Sequence, residues 1–142
     1  MIRIIAGGKK HNGWALEPIH EYEKRMQKPC IYDWVFCDEN RLEAKILELK
    51  PQDYLVLLDE NGKELSSPDF SNTLKTQIES GKNIIFVIGG AFGHFPKSIK
   101  SRANLTLSLS KMVLPHQICR VILAEQLYRA QEIALERPYH HA

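Results

Sequence analysis

The chain is short of cysteine, of charge of either sign in excess, and of long hydrophobic runs, and each shortage excludes something. Its 142 residues hold three cysteines, Cys30, Cys37 and Cys119. The number is odd and no two of them form a C-x-x-C pair, which argues against a disulfide framework or a zinc knuckle and for small apolar core thiols. Net charge is only +2, a value that permits nucleic acid as a ligand but lacks the dense Lys/Arg excess of sustained phosphate binding. The opening MIRIIAGG is too short an apolar run for a signal peptide or membrane anchor, so a reducing, cytoplasmic setting without a membrane is expected. The adjacent His140 and His141 do not by themselves make a metal site, and no metal is expected. No internal repeat, linker or low-complexity segment is present.

What remains is ordinary globular material, 44% hydrophobic and 25% charged, long enough for one domain over residues 1–142 with its own core. Strand and helix patterns alternate along it. Ile2 to Ile5 reads as a first strand running into the basic loop Gly7-Gly8-Lys9-Lys10. Ala15, Ile19, Tyr22 and Met26 form the stripe of an amphipathic helix whose other face carries Glu21, Lys24, Arg25 and Lys28. Ile31 to Phe36 is a second strand, and Asn40 with Glu43 resembles a capping box before a helix buried through Leu42, Ile46 and Leu49. Tyr54 to Leu58 is a third strand, followed by the turn signal Asn61-Gly62. Ser67 is placed to cap a helix with Pro68 in its first turn, a buried stripe of Phe70, Leu74 and Ile78, and Gly81 at its close. Ile84 to Ile88 is the most buried strand by pattern, and Phe95 to Arg102 a brief helix. Five such alternations predict a three-layer α/β domain with a mostly parallel sheet.

Two stretches carry the chemistry. The fourth strand opens into Gly89-Gly90-Ala91-Phe92-Gly93, where backbone is free to approach a ligand, although G-G-x-x-G alone is a weak signal and a plain tight turn explains it equally. The second stretch, Leu105 to Ala134, reads as a strand alternating Leu105, Leu107 and Leu109 with polar residues, an irregular connection, and one long helix starting after Pro115. At 100° per residue, His116, Arg120, Leu123 and Leu127 share one sector of that helix, and Glu125, Arg129 and Glu132 lie opposite. Apolar residues flank both groups, so the helix should be covered nearly all round, one face by its own sheet and the other by a second copy of the chain. Glu125 and Arg129 at i, i+4 are either a surface ion pair or part of a site. The tail Pro138-Tyr139-His140-His141 is rich in groups that are costly to leave idle.

With FVIGGAFG, then LSLSKMVLPHQICRVILAEQLYRA, then PYHHA, the chain resembles the small SPOUT-class RNA methyltransferases, specifically the ribosomal large subunit methyltransferase H family. The likeness also covers the RIIAGGK start, the EYEKR helix and VLLDENGKELSS. It implies a parallel α/β fold whose C-terminal part forms a trefoil knot, and a homodimer. It also implies S-adenosyl-L-methionine as cofactor and methylation of N3 of a pseudouridine in 23S rRNA. By motif, the cofactor's backbone contacts would come from Leu58, Gly90 and the loop Leu109, Ser110, Lys111, Met112, Val113 and Leu114. The polar residues implied to act on the nucleotide are His116, Arg120, Glu125, Arg129, Tyr139 and His140. Two departures stand out: Phe92 where many relatives carry a polar residue, and a shorter region between the second and third strands.

On that reading Arg129 and His140 orient the base and stabilise its developing anion, Glu125 fixes Arg129, and His116 is a second candidate for proton acceptance. Lys9, Lys10 and Arg120 are expected to contact phosphate. The modest charge favours a preformed surface of the large subunit or assembled ribosome over naked rRNA. The rival readings are a non-catalytic α/β module holding a nucleotide or protein at the Gly89–Gly93 loop, and a methyltransferase acting on another RNA.

Overall fold

The computed structural model describes residues 1–89 and 95–141. Five strands, β1 (Ile2–Gly7), β2 (Tyr32–Cys37), β3 (Tyr54–Glu64), β4 (Ile84–Ile88) and β5 (Leu105–Ser108), alternate with five α-helices. The helices are α1 (Leu16–Glu23), α2 (Glu39–Leu47), α3 (Ser67–Glu79), α4 (Lys97–Arg102) and α5 (His116–Ala134). The strands form one sheet in the order β2-β1-β4-β3-β5, and every pairing is parallel. The near-continuous apolar runs of β1, β3 and β4 follow from burial on both faces. Ile2, Ile4, Val56, Leu58, Ile84, Phe86 and Ile88 point to a core shared with α1, α3 and α5. Ile5, Leu55, Leu57, Ile85 and Val87 point to a second core under α2 and α4. The crossovers through α1 and α3 move one way along the sheet and those through α2 and α4 the other way, on opposite faces. All four therefore share one hand, as the crossover rule demands.

Several local expectations shift by a few residues, each for a physical reason. Ser66, not Ser67, caps α3, its hydroxyl accepting the Asp69 N–H at 3.1 Å, while Ser67 Oγ donates instead to Gln126 Oε1 at 2.8 Å. Helix α2 starts at Glu39 after Asp38 with no side-chain cap, so Asn40 lies inside it and forms no capping box. Helix α1 ends at Glu23, yet Met26 is still buried in the turn beyond it. Lys24 and Arg25 pair with Glu21 at 3.0 and 2.8 Å, the behaviour of a solvated helix face. The three cysteines are free and half-buried, and burial pushes their thiols up, which makes them poor nucleophiles.

The turn signal Asn61-Gly62 does not end β3. Both Leu58 and Lys63 sit opposite Leu107 of β5, so residues 59–62 bulge out of the ladder. Asp59 Oδ1 accepts the Asn61 N–H at 2.9 Å and shapes the bulge. Gly62 presses on the neighbouring strand: a Cβ there would lie 2.6 Å from the Thr106 carbonyl oxygen.

Helix α5 returns to the first core and is tied to the beginning of the chain by Arg120, which has no exposed surface. Its Nη1 donates to the Lys9 carbonyl at 2.9 Å and its Nη2 to the Gly7 carbonyl at 3.2 Å. The guanidinium carbon lies 5.3 Å from the Phe36 ring centre. The expected contact between Arg120 and phosphate is therefore corrected. Its sector-mates Leu123 and Leu127 are core residues too, and both ends of its guanidinium fork are taken by carbonyls. His11, 8% exposed, completes this anchor, edge-on to Trp34 and Phe36 at 4.4 and 5.0 Å. Burial, then the nearby Arg120 and His20, lowers its imidazole to about 4.

Two outcomes are expected. Gly62→Ala should destabilise the fold by roughly 1–3 kcal/mol in urea denaturation, because backbone on β5 must give way. His11 is neutral in the folded state and titrates near 6.5 when unfolded, so its contribution is present above that pH and is lost as pH falls toward about 4. Unfolding free energy measured across this window should therefore fall more steeply for the wild-type chain than for His11→Asn.

Candidate active site

Parallel strands bring their C-terminal ends to one edge of the sheet, where open α/β folds place their ligands. At this edge lie the Gly7–His11 loop, Leu58 at the end of the regular pairing of β3, the end of β4, and the β5–α5 connection. Gly90 and Phe92 fall outside the described residues. In the connection, Ser110 Oγ accepts the Met112 N–H at 3.0 Å, and the Leu114 carbonyl faces Cys119 Sγ at 3.8 Å. Lys111 Nζ approaches Glu64 at 3.5 Å. Met112 and Val113 are each 78% exposed, while Leu109, Ser110 and Leu114 are half-buried. At the root of this loop Ser108 buries a hydroxyl that has no partner among the described residues. It lines a cleft of about 120 Å³ with Leu107, Leu109, Ile122, Gln126 and Ser67.

The second group of predicted residues converges at the far half of α5. Just past the helix, Glu136 takes a left-handed φ of 56°. The Glu136 N–H then reaches the Ile133 carbonyl and the Arg137 N–H the Glu132 carbonyl, the paired bonds of a Schellman ending. The chain reverses there, and the tail lies back along α5 rather than fraying. Tyr139 packs edge-on against Tyr128 with ring centres 4.8 Å apart, and its ring sits 5.0 Å from the Arg129 guanidinium carbon.

Glu125 is the hub of this cluster. Its Oε1 accepts from Arg129 Nη2 at 2.7 Å, Arg129 Nε at 3.0 Å and the Tyr139 hydroxyl at 3.1 Å. Its Oε2 accepts from Gln126 Nε2 at 3.0 Å. Four donors on one carboxylate leave little capacity to take a proton, so Glu125 is built to hold neighbours in place. Hydrogen bonding to Glu125 raises Arg129 above its ordinary value. Burial, with the Glu125 charge beside it, pushes the Tyr139 hydroxyl up to about 12, so it stays a donor at neutral pH. Arg129 Nη1 faces His140 Nδ1 at 2.9 Å. A guanidinium has no lone pair to offer, so Nδ1 accepts and Nε2 carries the ring N–H. That Nε2 is buried and has no partner among the described residues.

Thus Glu125, Arg129, Tyr139 and His140 stand together. His116, half-buried at the start of α5, and the exposed Lys9 and Lys10 stand apart from them. At 1.5 Å per residue, His116 and Arg129 are about 20 Å apart along the helix. Sequence reasoning missed Gln126 and His11. The first looks like one more polar residue beside Glu125; the acceptor-only carboxylate fixes its amide NH2 toward Glu125, which leaves Oε1 to accept from Ser67 at 2.8 Å. Among the described residues no helix is long and apolar enough to cross a membrane, and no group of three His, Cys, Asp or Glu could hold a metal.

Residues 1–140 match a family described as predicted SPOUT methyltransferase. Among curated proteins, the chain is 37% identical to the ribosomal RNA large subunit methyltransferase H of Parabacteroides distasonis, over 99% of this chain and 98% of that one. It is 37% identical to the protein of the same name from Methylobacillus flagellatus, over 98% and 97%. With that of Christiangramia forsetii it shares 46% identity over 73% of this chain and 69% of the relative. With this coverage, and with the all-parallel sheet and strand-end loops described above, the chain belongs to the SPOUT methyltransferase family.

Proposed function

We propose that this chain methylates N3 of a pseudouridine in 23S rRNA, on the large subunit or assembled ribosome. The donor is S-adenosyl-L-methionine and the working form a homodimer whose C-terminal part is knotted as the family implies. The observation that carries this reading is the placement of the Glu125–Arg129–His140 cluster. It is a preorganised polar site whose Arg129 lies about 20 Å along α5 from His116, where the strand-end loop enters the helix. A second copy seated on the half-buried apolar flank of α5, Ile118, Val121 and Ile122, brings a further donor loop to the cluster.

The strand-end loop suits the donor. Leu58 and Leu109 to Leu114 offer backbone groups and the apolar Met112 and Val113, the family motif assigns Gly90 to the same site, and the Ser108 hydroxyl, unpartnered among the described residues, matches a polar group of adenosine. When bound, the donor supplies a sulfonium methyl group to the nucleophilic nitrogen.

The residues of this chain then have separable tasks. N3 of the base loses its proton as it gains the methyl group, so negative charge gathers on the flanking carbonyls. The Arg129 guanidinium and the His140 Nε2–H are donors for those oxygens, and they hold the base in line. Glu125, held by Tyr139 and Gln126, fixes the Arg129 fork. His140 does not take the N3 proton, because its only lone pair faces Arg129, which leaves His116 as the remaining histidine candidate for proton acceptance. Lys9 and Lys10 contact phosphate of the rRNA. The relatives' shared name, and the donors held ready on Arg129 and His140, favour this reading over a non-catalytic nucleotide-binding module.

His140→Ala should lower the single-turnover methylation rate on large subunits at saturating donor by roughly 10², with donor affinity unchanged by calorimetry. An unchanged rate removes His140 from the mechanism. Failure of the wild-type protein to bind S-adenosyl-L-methionine rules out the methyltransferase reading of this loop.

A further inference from the structure

Resting on the rRNA reading above, we propose that Trp14 is a stacking platform for an unpaired rRNA base, carried on the same loop as Lys9 and Lys10. Trp14 is 61% exposed, an unusual state for the side chain with the most apolar surface to bury. It is not exposed through looseness. The loop around it is anchored at two points: His11, three residues before it, is 8% exposed and wedged against Trp34 and Phe36, and Ala15, directly after it, has no exposed surface. Asn12 to Ala15 close a short 3-10 turn through the Ala15 N–H and the Asn12 carbonyl at 3.3 Å. Upstream, Arg120 holds the Gly7 and Lys9 carbonyls. The indole is thus presented to solvent from an anchored loop, and a rigid aromatic loses little freedom on binding.

The charge around it selects the occupant. Between Gly7 and Leu16 the chain carries Lys9 and Lys10 and no acidic residue, and both lysines are exposed. An exposed aromatic face on a basic loop is how proteins take a splayed-out base together with its flanking phosphates. Other exposed apolar side chains lack this combination. Leu47 and Leu135 are aliphatic and stand next to Glu48 and Glu136, and Met112 and Val113 belong to the donor loop. A modest overall charge of +2 makes a stacking contact more valuable, since phosphate attraction alone is weak.

Trp14→Phe and Trp14→Leu separate stacking from bulk. Co-sedimentation with large ribosomal subunits lacking the modification should show binding weakened roughly 5- to 100-fold for Trp14→Leu and largely retained for Trp14→Phe. Methylation kinetics should show the loss in KM for the subunits and leave kcat near wild type. Equal binding by both variants and the wild type overturns the proposal. So does equal loss in both variants with a shift to monomer in analytical sedimentation, which would make Trp14 a contact with a second copy. Wild-type protein that binds subunits through Trp14 but does not methylate them sinks the catalytic reading and leaves this one standing. Methylation that proceeds unaltered by either substitution does the reverse.

Discussion

The buried guanidinium of Arg120 is the constraint on which the arrangement of this molecule depends. A cation stripped of water costs several kcal/mol unless its donors are used and its charge is met. Here no carboxylate is enlisted among the described residues. The carbonyls of Gly7 and Lys9 accept two donors, and the face of Phe36 lies 5.3 Å away. Those partners come from the ends of β1 and β2, whereas Arg120 belongs to the second turn of α5. The first and last elements of the domain are therefore pinned at one point, and the basic loop, the strand ends and the β5–α5 connection inherit fixed positions from it. A lysine would not serve, because a point charge cannot reach two carbonyls and lie over a ring at once.

The far end of α5 solves a different problem. A chain terminus is ordinarily the least ordered part of a domain, yet here it supplies two of the four clustered polar groups. The left-handed Glu136, φ 56°, reverses the chain at the cost of about 1 kcal/mol for a residue with a Cβ. The reversal is held by backbone bonds to Glu132 and Ile133 and by Arg137 Nη1 to Glu132 Oε2 at 3.2 Å. It lets the single Glu125 carboxylate take four donors, and Arg129 and His140 are held in place by the same network. Preorganisation of this kind, rather than a perturbed acid or base, is what the proposed methyl transfer asks of a protein.

Much of the fold was legible because β1, β3 and β4 are apolar on both faces and the helices between them carry clear stripes. Ile84–Ile88 and the start of α5 fall where the pattern puts them, and Gly81 closes α3 with a φ of 74°. Strand order was not legible, because nothing local says that β4 lies between β1 and β3. The bulge at residues 59–62 was hidden because Asn61-Gly62 signals a turn without saying whether pairing resumes beyond it. In the site, the i, i+4 spacing of Glu125 and Arg129 foretold their contact. The placement of Tyr139 and His140 beside Glu125 and Arg129 needed the chain reversal at Glu136, a conformation that sequence rules assign to glycine. Arg120 shows the opposite failure: its helical sector placed it with core leucines, and its charge suggested a surface role that burial excludes.

If a complete site takes its donor loop from one chain and its Arg129 cluster from another, two proteins that are each inactive should complement. The pair to mix, after dissociation and reassociation, is Arg129→Ala with a donor-loop variant such as Met112→Asp. With sites shared across a dimer, random pairing returns about a quarter of wild-type methylation, because each mixed dimer regains one intact site. Mixed dimers that form and stay inactive would show that the donor loop and the Arg129 cluster do not meet across the interface.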